Sequence, residues 1–378
     1  MEFQTNNMKI KIIGIGGGGG NTIKRLSKKR EQFGGYIEFY AANTDAMALS
    51  SVQSEGKDVN VILLGENSRK GNGAGGKPEI GKLATEESRK QIEEAIGDAQ
   101  LLFIAAGMGG GTGTGGAPIV AQIASERQIL TIGVVTMPFG YEGSERARYA
   151  EEGIREMRKY VDVMVVASNQ KAFDICGASA QMQTIFEKAD DVLANSIKGI
   201  TDIIFTHSLI NVDFADVTTV LRGKKTAHIG LGHATGENRM FKALKMASTN
   251  LMLNTSIEGA KNVIVCIIAD KEITGDAINK ANSLIPKVVD KNAIIIHGVG
   301  FDNNLQQEVK VIIIASGLPG GDLENEEKQE AEPEKEETDF ELFNVKKEEK
   351  TEEPVEEEIS EEEEDSTVDN LLKRLQER

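Results

Sequence analysis

The sequence is poor in the residues that build covalent or metal frameworks. Its two cysteines, Cys176 and Cys266, stand far apart and in no CxxC or Cys/His spacing, which speaks against a disulfide scaffold or a structural zinc and fits a reducing cytoplasm. The four histidines, His207, His228, His233 and His297, make no metal-ligand pair and read as packing or surface residues. No apolar run approaches the roughly 18 residues that a membrane span needs, and the start MEFQTNNMKI has no basic patch leading into an apolar stretch. Neither secretion nor direct membrane insertion is expected. A surplus of positive charge is missing as well. The net charge is -17, and residues 322–378, with 25 acidic and 8 basic side chains, account for all of it. The rest of the chain balances at 35 of each sign. Phosphate backbones repel a neutral body with an acidic tail, so nucleic acid is not an expected partner.

What is present is length, glycine and rhythm. The 378 residues exceed one ordinary core, 39% are apolar and 40 are glycine, the composition of a soluble globule with more than one domain. Apolar β-branched runs at 9–15, 36–42, 61–64, 101–105, 129–136 and 161–166 are each followed by a turn signal and then a helical pattern. That alternation predicts an α/β fold with a parallel sheet covered by helices. From 182 to 205 apolar residues recur at intervals of three and four, predicting one long helix midway along the folded part. Beyond it come helix over 213–222, strand 226–231, helix 237–252, strand 262–268, helix 276–285 and strands 293–297 and 308–315, the pattern of a smaller α+β domain. From Gly320 a Glu-rich, Pro-containing stretch to Ser366 cannot bury enough apolar surface to fold and reads as a disordered acidic linker. The last twelve residues, TVDNLLKRLQER, are amphipathic and suit a docking peptide.

Chemistry gathers at the glycines. Gly14 to Gly20, ending at Asn21, follows the first strand and precedes a helix, where backbone N–H groups can approach an anion. Alone, this cluster also satisfies the dinucleotide fingerprint through Gly14, Gly16 and Gly19, with Asp45 as a candidate ribose ligand, and leaves a nicotinamide-dependent oxidoreductase open. A second cluster, Gly107 to Gly115, follows strand 101–106 and opens a helix in which Pro118 suits the first turn. Two such loops exceed what a pyrophosphate bridge requires and suit a longer phosphate chain. A third loop, Gly71 to Gly76, is placed to close over the terminal phosphate. There is no GxxxxGK[ST], so this is not a P-loop.

The segments GIGGGGGN, AANTDA, GAGGKPEIG, AAGMGGGTGTGGAP, PFGYEGSERA and NVDFADV, in this order, resemble the FtsZ family of cell-division GTPases, relatives of tubulin, over about residues 9–318. The resemblance implies a Rossmann-like GTPase domain over 1–180, a central helix over 181–206, a second, GTPase-activating domain over 207–319, a linker over 320–366 and a terminal docking peptide over 367–378. It implies GTP and GDP as ligands, Mg²⁺ bound through the nucleotide, head-to-tail self-assembly, and a place in the mid-cell ring. Carried over by position, Gly17, Gly18, Gly19, Gly20, Asn21, Gly110, Gly111, Thr112 and Gly113 contact the phosphates. Glu142 and Arg146 lie near ribose and phosphate, and Asn169, Phe186 and Asp190 surround guanine. Phe186 and Asp190 are i, i+4 on one helix face, so a ring can stack on the base while a carboxylate accepts from its donor edge. Asn211, Asp213 and Asp216 are the catalytic set, acting on the nucleotide of the next subunit; Asp213 also suits a helix N-cap.

The chain departs from the family pattern at Asn169-Gln170-Lys171, where Asn-Asp-Arg is usual, and at Met137, where Lys is usual. Its terminal peptide lacks the usual Pro and Phe but keeps the charge pattern that would meet membrane-tethering or regulatory division proteins. Two further readings stand beside the division filament: a tubulin-like filament that moves plasmids or shapes cells, and a scaffold that binds nucleotide without turnover.

Overall fold

The computed structural model describes residues 8–33, 37–177, 179–205, 208–250, 252–253, 255–302 and 305–319; His207, the linker and the terminal peptide lie outside the described residues. Strands are β1 (Ile10–Ile15), β2 (Ile37–Asn43), β3 (Val59–Leu63), β4 (Leu101–Gly107), β5 (Leu130–Met137), β6 (Val163–Ser168), β7 (Ser208–Ile210), β8 (Lys225–Thr235), β9 (Thr249–Asn250), β10 (Thr255–Ser256), β11 (Asn262–Ala269), β12 (Ile294–Phe301) and β13 (Glu308–Ser316). Helices are α1 (Gly16–Lys28), α2 (Ala46–Glu55), α3 (Glu66–Arg69), α4 (Pro78–Glu87), α5 (Arg89–Ile96), α6 (Thr112–Glu126), α7 (Ser144–Arg158), α8 (Asn169–Cys176), α9 (Met182–Phe205), α10 (Phe214–Leu221), α11 (Arg239–Ser248) and α12 (Gly275–Asn282).

β1, IKIIGI, is buried along its whole length because helices cover both faces of a parallel sheet. Its one charged residue, Lys11, reaches the strand end, where Nζ donates to the Ala95 carbonyl at 2.6 Å and pairs with Asp98 and Glu38. β3-β2-β1-β4-β5-β6 run parallel. Beyond them lie β8, β13, β11, β12 and β7, a mixed arrangement in which only β11 and β12 form a parallel neighbour pair. The α/β expectation therefore stands, and the structure adds that one 11-stranded sheet runs through both parts. The seam is two residue pairs wide, Val163↔Lys225 and Met164↔Thr226.

α9 lies on one face of both parts. Ile185, Ala189, Val192, Leu193, Ile197, Ile200 and Ile203 are buried in a core shared with β1, β4 and β5 on one side and Ile264, Ile312 and Ile314 on the other. α4 to α7 cover the opposite face of the parallel strands, and α11 and α12 that of the mixed strands. α11 lies so close on β8 that a Cβ at Gly230 would stand 1.8 Å from the Ala247 carbonyl oxygen.

Three local expectations shift. The glycines 16–20 are the first turns of α1 rather than a loop ahead of it. α6 begins at Thr112, so Pro118 sits inside the helix and leaves the Thr114 carbonyl without its i+4 donor. The helix expected over 237–252 ends at Ser248, because Thr249 turns to extended backbone and pairs in a short ladder with Ser256.

Candidate functional site

α1 and α6 spring from the ends of neighbouring parallel strands, β1 and β4. Their N-cap positions are Ile15 and Gly111, which supply no side-chain acceptor, whereas Asp45, Ser168, Asp213 and Thr274 cap α2, α8, α10 and α12. First-turn N–H groups with no capping oxygen, at the positive end of two helix dipoles side by side, make a surface chemically suited to an anion. The glycines there divide into two kinds. A Cβ at Gly16 would stand 2.8 Å from the Gly113 nitrogen, and one at Gly19 2.4 Å from the Ala105 carbonyl oxygen, so these positions let backbones close on one another. At Gly17 and Gly110 a Cβ would meet nothing within 4 Å, so the bareness there leaves room for a ligand.

These helix starts border a cleft of about 320 Å³. Gly18, Asn21 and Gly110 line its glycine-rich end, and Glu142, Arg146, Asn169, Phe186 and Asp190 complete the wall. Gly17, Gly19, Gly20, Gly111, Thr112 and Gly113 belong to the same two helix starts without lining the cleft. Buried Thr112 shares a 2.7 Å hydrogen bond with Thr44. The third glycine loop packs on Gly111, where a Cβ would stand 2.8 Å from Ala74, and does not line the cleft either.

At the other end Phe186, 41% exposed, is no core aromatic: its ring meets Phe139 edge-on at 5.6 Å, and Phe139 stacks on Tyr141 at 5.1 Å. One turn on, Asp190 is 9% exposed. Its Oδ1 accepts from the Thr22 hydroxyl at 2.6 Å, and its Oδ2 takes the Arg25 guanidinium. Burial pushes the Asp190 carboxyl above the ordinary carboxylate range, with Arg25 and Thr22 opposing. Glu142 accepts from the Phe139 N–H at 2.9 Å and pairs with Arg146 one turn along. Thr22 and Arg25 escaped sequence reasoning, although Gly18, Thr22 and Arg25 at i, i+4 and i+7 share one helix face.

Asn211, Asp213 and Asp216 stand elsewhere. Phe186 and Asp190 occupy the first turns of α9, and the Asp213 loop follows its other end, beyond β7. From Asp190 to Phe205 is about 22 Å of helix at 1.5 Å per residue. Asp213 and Asp216 cap α10 reciprocally: Asp213 Oδ1 accepts the Asp216 N–H at 2.9 Å, and Asp216 Oδ2 accepts the Asp213 N–H at 3.0 Å. Before them, in β7, Leu209 and Ile210 are 77% and 50% exposed, an apolar pair beside the two carboxylates. Asp45 caps α2, accepting from the N–H groups of Met47 and Ala48.

Residues 9–177 match the GTPase domain of the tubulin/FtsZ family, and residues 225–319 match the C-terminal domain of the FtsZ family. Among solved structures, an empty FtsZ dimer from M. jannaschii is similar at 37% identity and a TM-score of 0.72, covering 84% of this chain and 90% of that one. CetZ1 from Haloferax volcanii, a GDP-bound monomer, aligns at 21% identity and a TM-score of 0.71, over 85% and 98% of the two chains. CetZ2 from the same organism, a GTPγS-bound protofilament, aligns at 19% and 0.69, over 86% and 97%. The two CetZ likenesses bear on the fold alone.

Proposed function

The chain belongs to the tubulin/FtsZ family of polymerising GTPases, and we propose that it assembles head to tail into the filaments of a cell-division ring at mid-cell, with each GTP hydrolysed between two subunits. The observation that carries this reading is the separation of its two halves. A cleft with two uncapped helix starts lies at one end of α9 and the Asp213–Asp216 pair follows the other. In this reading the phosphates lie on the first turns of α1 and α6, and guanine stacks on Phe186 with its donor edge on Asp190. Asp213 and Asp216 of the next subunit, with Asn211, hold and polarise the attacking water, while fixed N–H dipoles stabilise charge on the phosphate. Exposed Leu209 and Ile210 give that contact apolar area.

Among the described residues no group of three or more His, Cys, Asp or Glu is placed to hold a metal. We place Mg²⁺ on phosphate oxygens and water, where it would neutralise charge on the phosphates. The 37% identity to FtsZ is what supports division over a filament for cell shape or plasmid movement. The oxidoreductase reading loses support, since Asp45 caps α2 and does not line the cleft. Among the described residues no helix is long and apolar enough to cross a membrane. We assign the filament to the cytoplasm, tethered by division proteins through residues 367–378.

Mixing two variants tests the shared site. Asp213→Asn keeps an N-cap residue and removes the charge; Gly110→Asp puts a carboxylate into the open phosphate end. Each alone should be nearly inactive. Co-assembled one to one, head-to-tail junctions pair an intact loop with an intact cleft in about a quarter of cases, so about a quarter of unmutated turnover should return. No recovery at any ratio, with co-pelleting demonstrated, would place catalysis within one chain.

A further inference from the structure

We propose that Thr22 and Arg25 are the positioning residues that set guanine selectivity, by clamping the Asp190 carboxylate from the side facing away from the base. The inference rests on the proposed reading of the cleft as a guanine nucleotide site. Asp190 lines the cleft at 9% exposure, with Thr22 on one carboxylate oxygen at 2.6 Å and the Arg25 guanidinium on the other. An ionised carboxylate offers two acceptor directions per oxygen. Thr22 takes one direction on Oδ1 and two Arg25 nitrogens converge on Oδ2 from the same helix, so α1 fixes the plane of the carboxylate and leaves its open edge to a ligand with two adjacent N–H donors. Guanine presents N1–H and the exocyclic amine at such an edge. Hypoxanthine keeps N1–H and lacks the amine, and adenine presents an acceptor at N1.

The clamp also shares a helix with the phosphate end. Gly18, which lines that end, stands one turn before Thr22 and two before Arg25, and the Thr22 hydroxyl lies 3.2 Å from the Gly18 carbonyl oxygen. A rigid α1 therefore fixes the distance between phosphate surface and base reader. Arg25 is suited to the role because its planar fork holds one oxygen through two nitrogens, which a lysine cannot reproduce. A purely structural tie between α1 and α9 would weaken every nucleotide by the same factor; a selectivity clamp changes the ratio between bases.

The experiment measures GDP, IDP and ADP binding to the full chain by calorimetry, alongside thermal melts. Thr22→Val should lower the GDP/IDP affinity ratio about five-fold, the worth of one hydrogen bond, and Arg25→Gln should lower it about ten-fold or more. Thr22→Ser, which restores the hydroxyl, should recover the ratio. Equal losses for GDP and IDP in both variants, or no loss in either, would overturn the clamp. Asp190→Ala separates the two levels of inference. If it abolishes the GDP/IDP preference while Thr22→Val and Arg25→Gln retain it, base reading survives and the clamp falls. If it leaves the preference untouched, the base-reading role itself is wrong.

Discussion

A methyl group at Gly17 would enter open space, and one at Gly19 would stand 2.4 Å from the Ala105 carbonyl oxygen. Two neighbouring glycines in one helix turn thus serve different ends. Gly17→Ala should leave stability unchanged or raise it by about 0.5 kcal/mol, since alanine outranks glycine inside a helix. It should nonetheless weaken GTP binding about ten-fold if the phosphates close on that backbone. Gly19→Ala should cost about 2 kcal/mol or more, because the obstruction is backbone that cannot rotate away. Denaturant titration and nucleotide binding on both variants separate the effects. Similar melting losses in the two would contradict the division of glycines into packing and ligand-facing kinds. Residue type alone could not reveal this division: six of the seven residues from Gly14 to Gly20 are glycine, Ile15 being the exception, and only the partner backbones tell them apart.

At the scale of elements, α11 and β8 meet over a buried histidine. His228 is fully buried, with Nε2 2.7 Å from the Ala247 carbonyl oxygen and Nδ1 3.0 Å from the Thr255 hydroxyl. The carbonyl can only accept, so Nε2 carries the proton and Nδ1 accepts from Thr255, a neutral ring. Burial holds its pKa below the ordinary 6.5 in the folded chain, so the unfolded chain binds the proton more readily. Stability is then complete above about pH 6.5 and declines as the pH falls below it, by up to about 1.4 kcal/mol per pH unit for one proton. Half-buried His297, lowered by burial too, adds in the same direction. Urea unfolding at pH 7.5 and 5.5 should show the decline, and His228→Gln should flatten much of it; an equally steep decline in that variant would assign it to other groups. Elements with a strong period were legible in sequence: the bounds expected for the long helix are those of α9, and the Val- and Ile-rich runs became strands within a few residues. What escaped depends on distant partners. β7 is three residues long and exists through its pairing with β12, and the β6–β8 seam rests on two residue pairs. Arg25 on a helical face reads as a solvent-exposed cation until α9 lies beside α1. Gly18, Asn21, Gly110, Phe186 and Asp190 were legible through the family resemblance of their segments, and the structure places them on one cleft. The clamp was not, because it joins residues 165 apart.

At the scale of the whole molecule the charge is divided in a way that bears on filament association. Residues 1–321 are formally neutral and residues 322–378 carry the full -17. In the proposed filament a neutral body places no net repulsion between subunits. Every assembled subunit nevertheless adds 17 negative charges to the filament, so neighbouring filaments repel one another. That repulsion is screened over about 10 Å at 0.1 M salt and about 30 Å at 0.01 M. Full-length filaments should therefore remain separate at low ionic strength and associate as salt rises. A chain truncated after Leu318 loses the whole surplus and should still form filaments with GTP and Mg²⁺, bundling even at low salt. Light scattering and low-speed pelleting across a salt series, with electron microscopy to separate bundles from single filaments, measure both effects. If the truncated chain folds but forms no filaments, residues 319–378 take part in assembly itself. If it forms filaments that bundle with the same salt dependence as the full chain, the acidic surplus does not govern their separation.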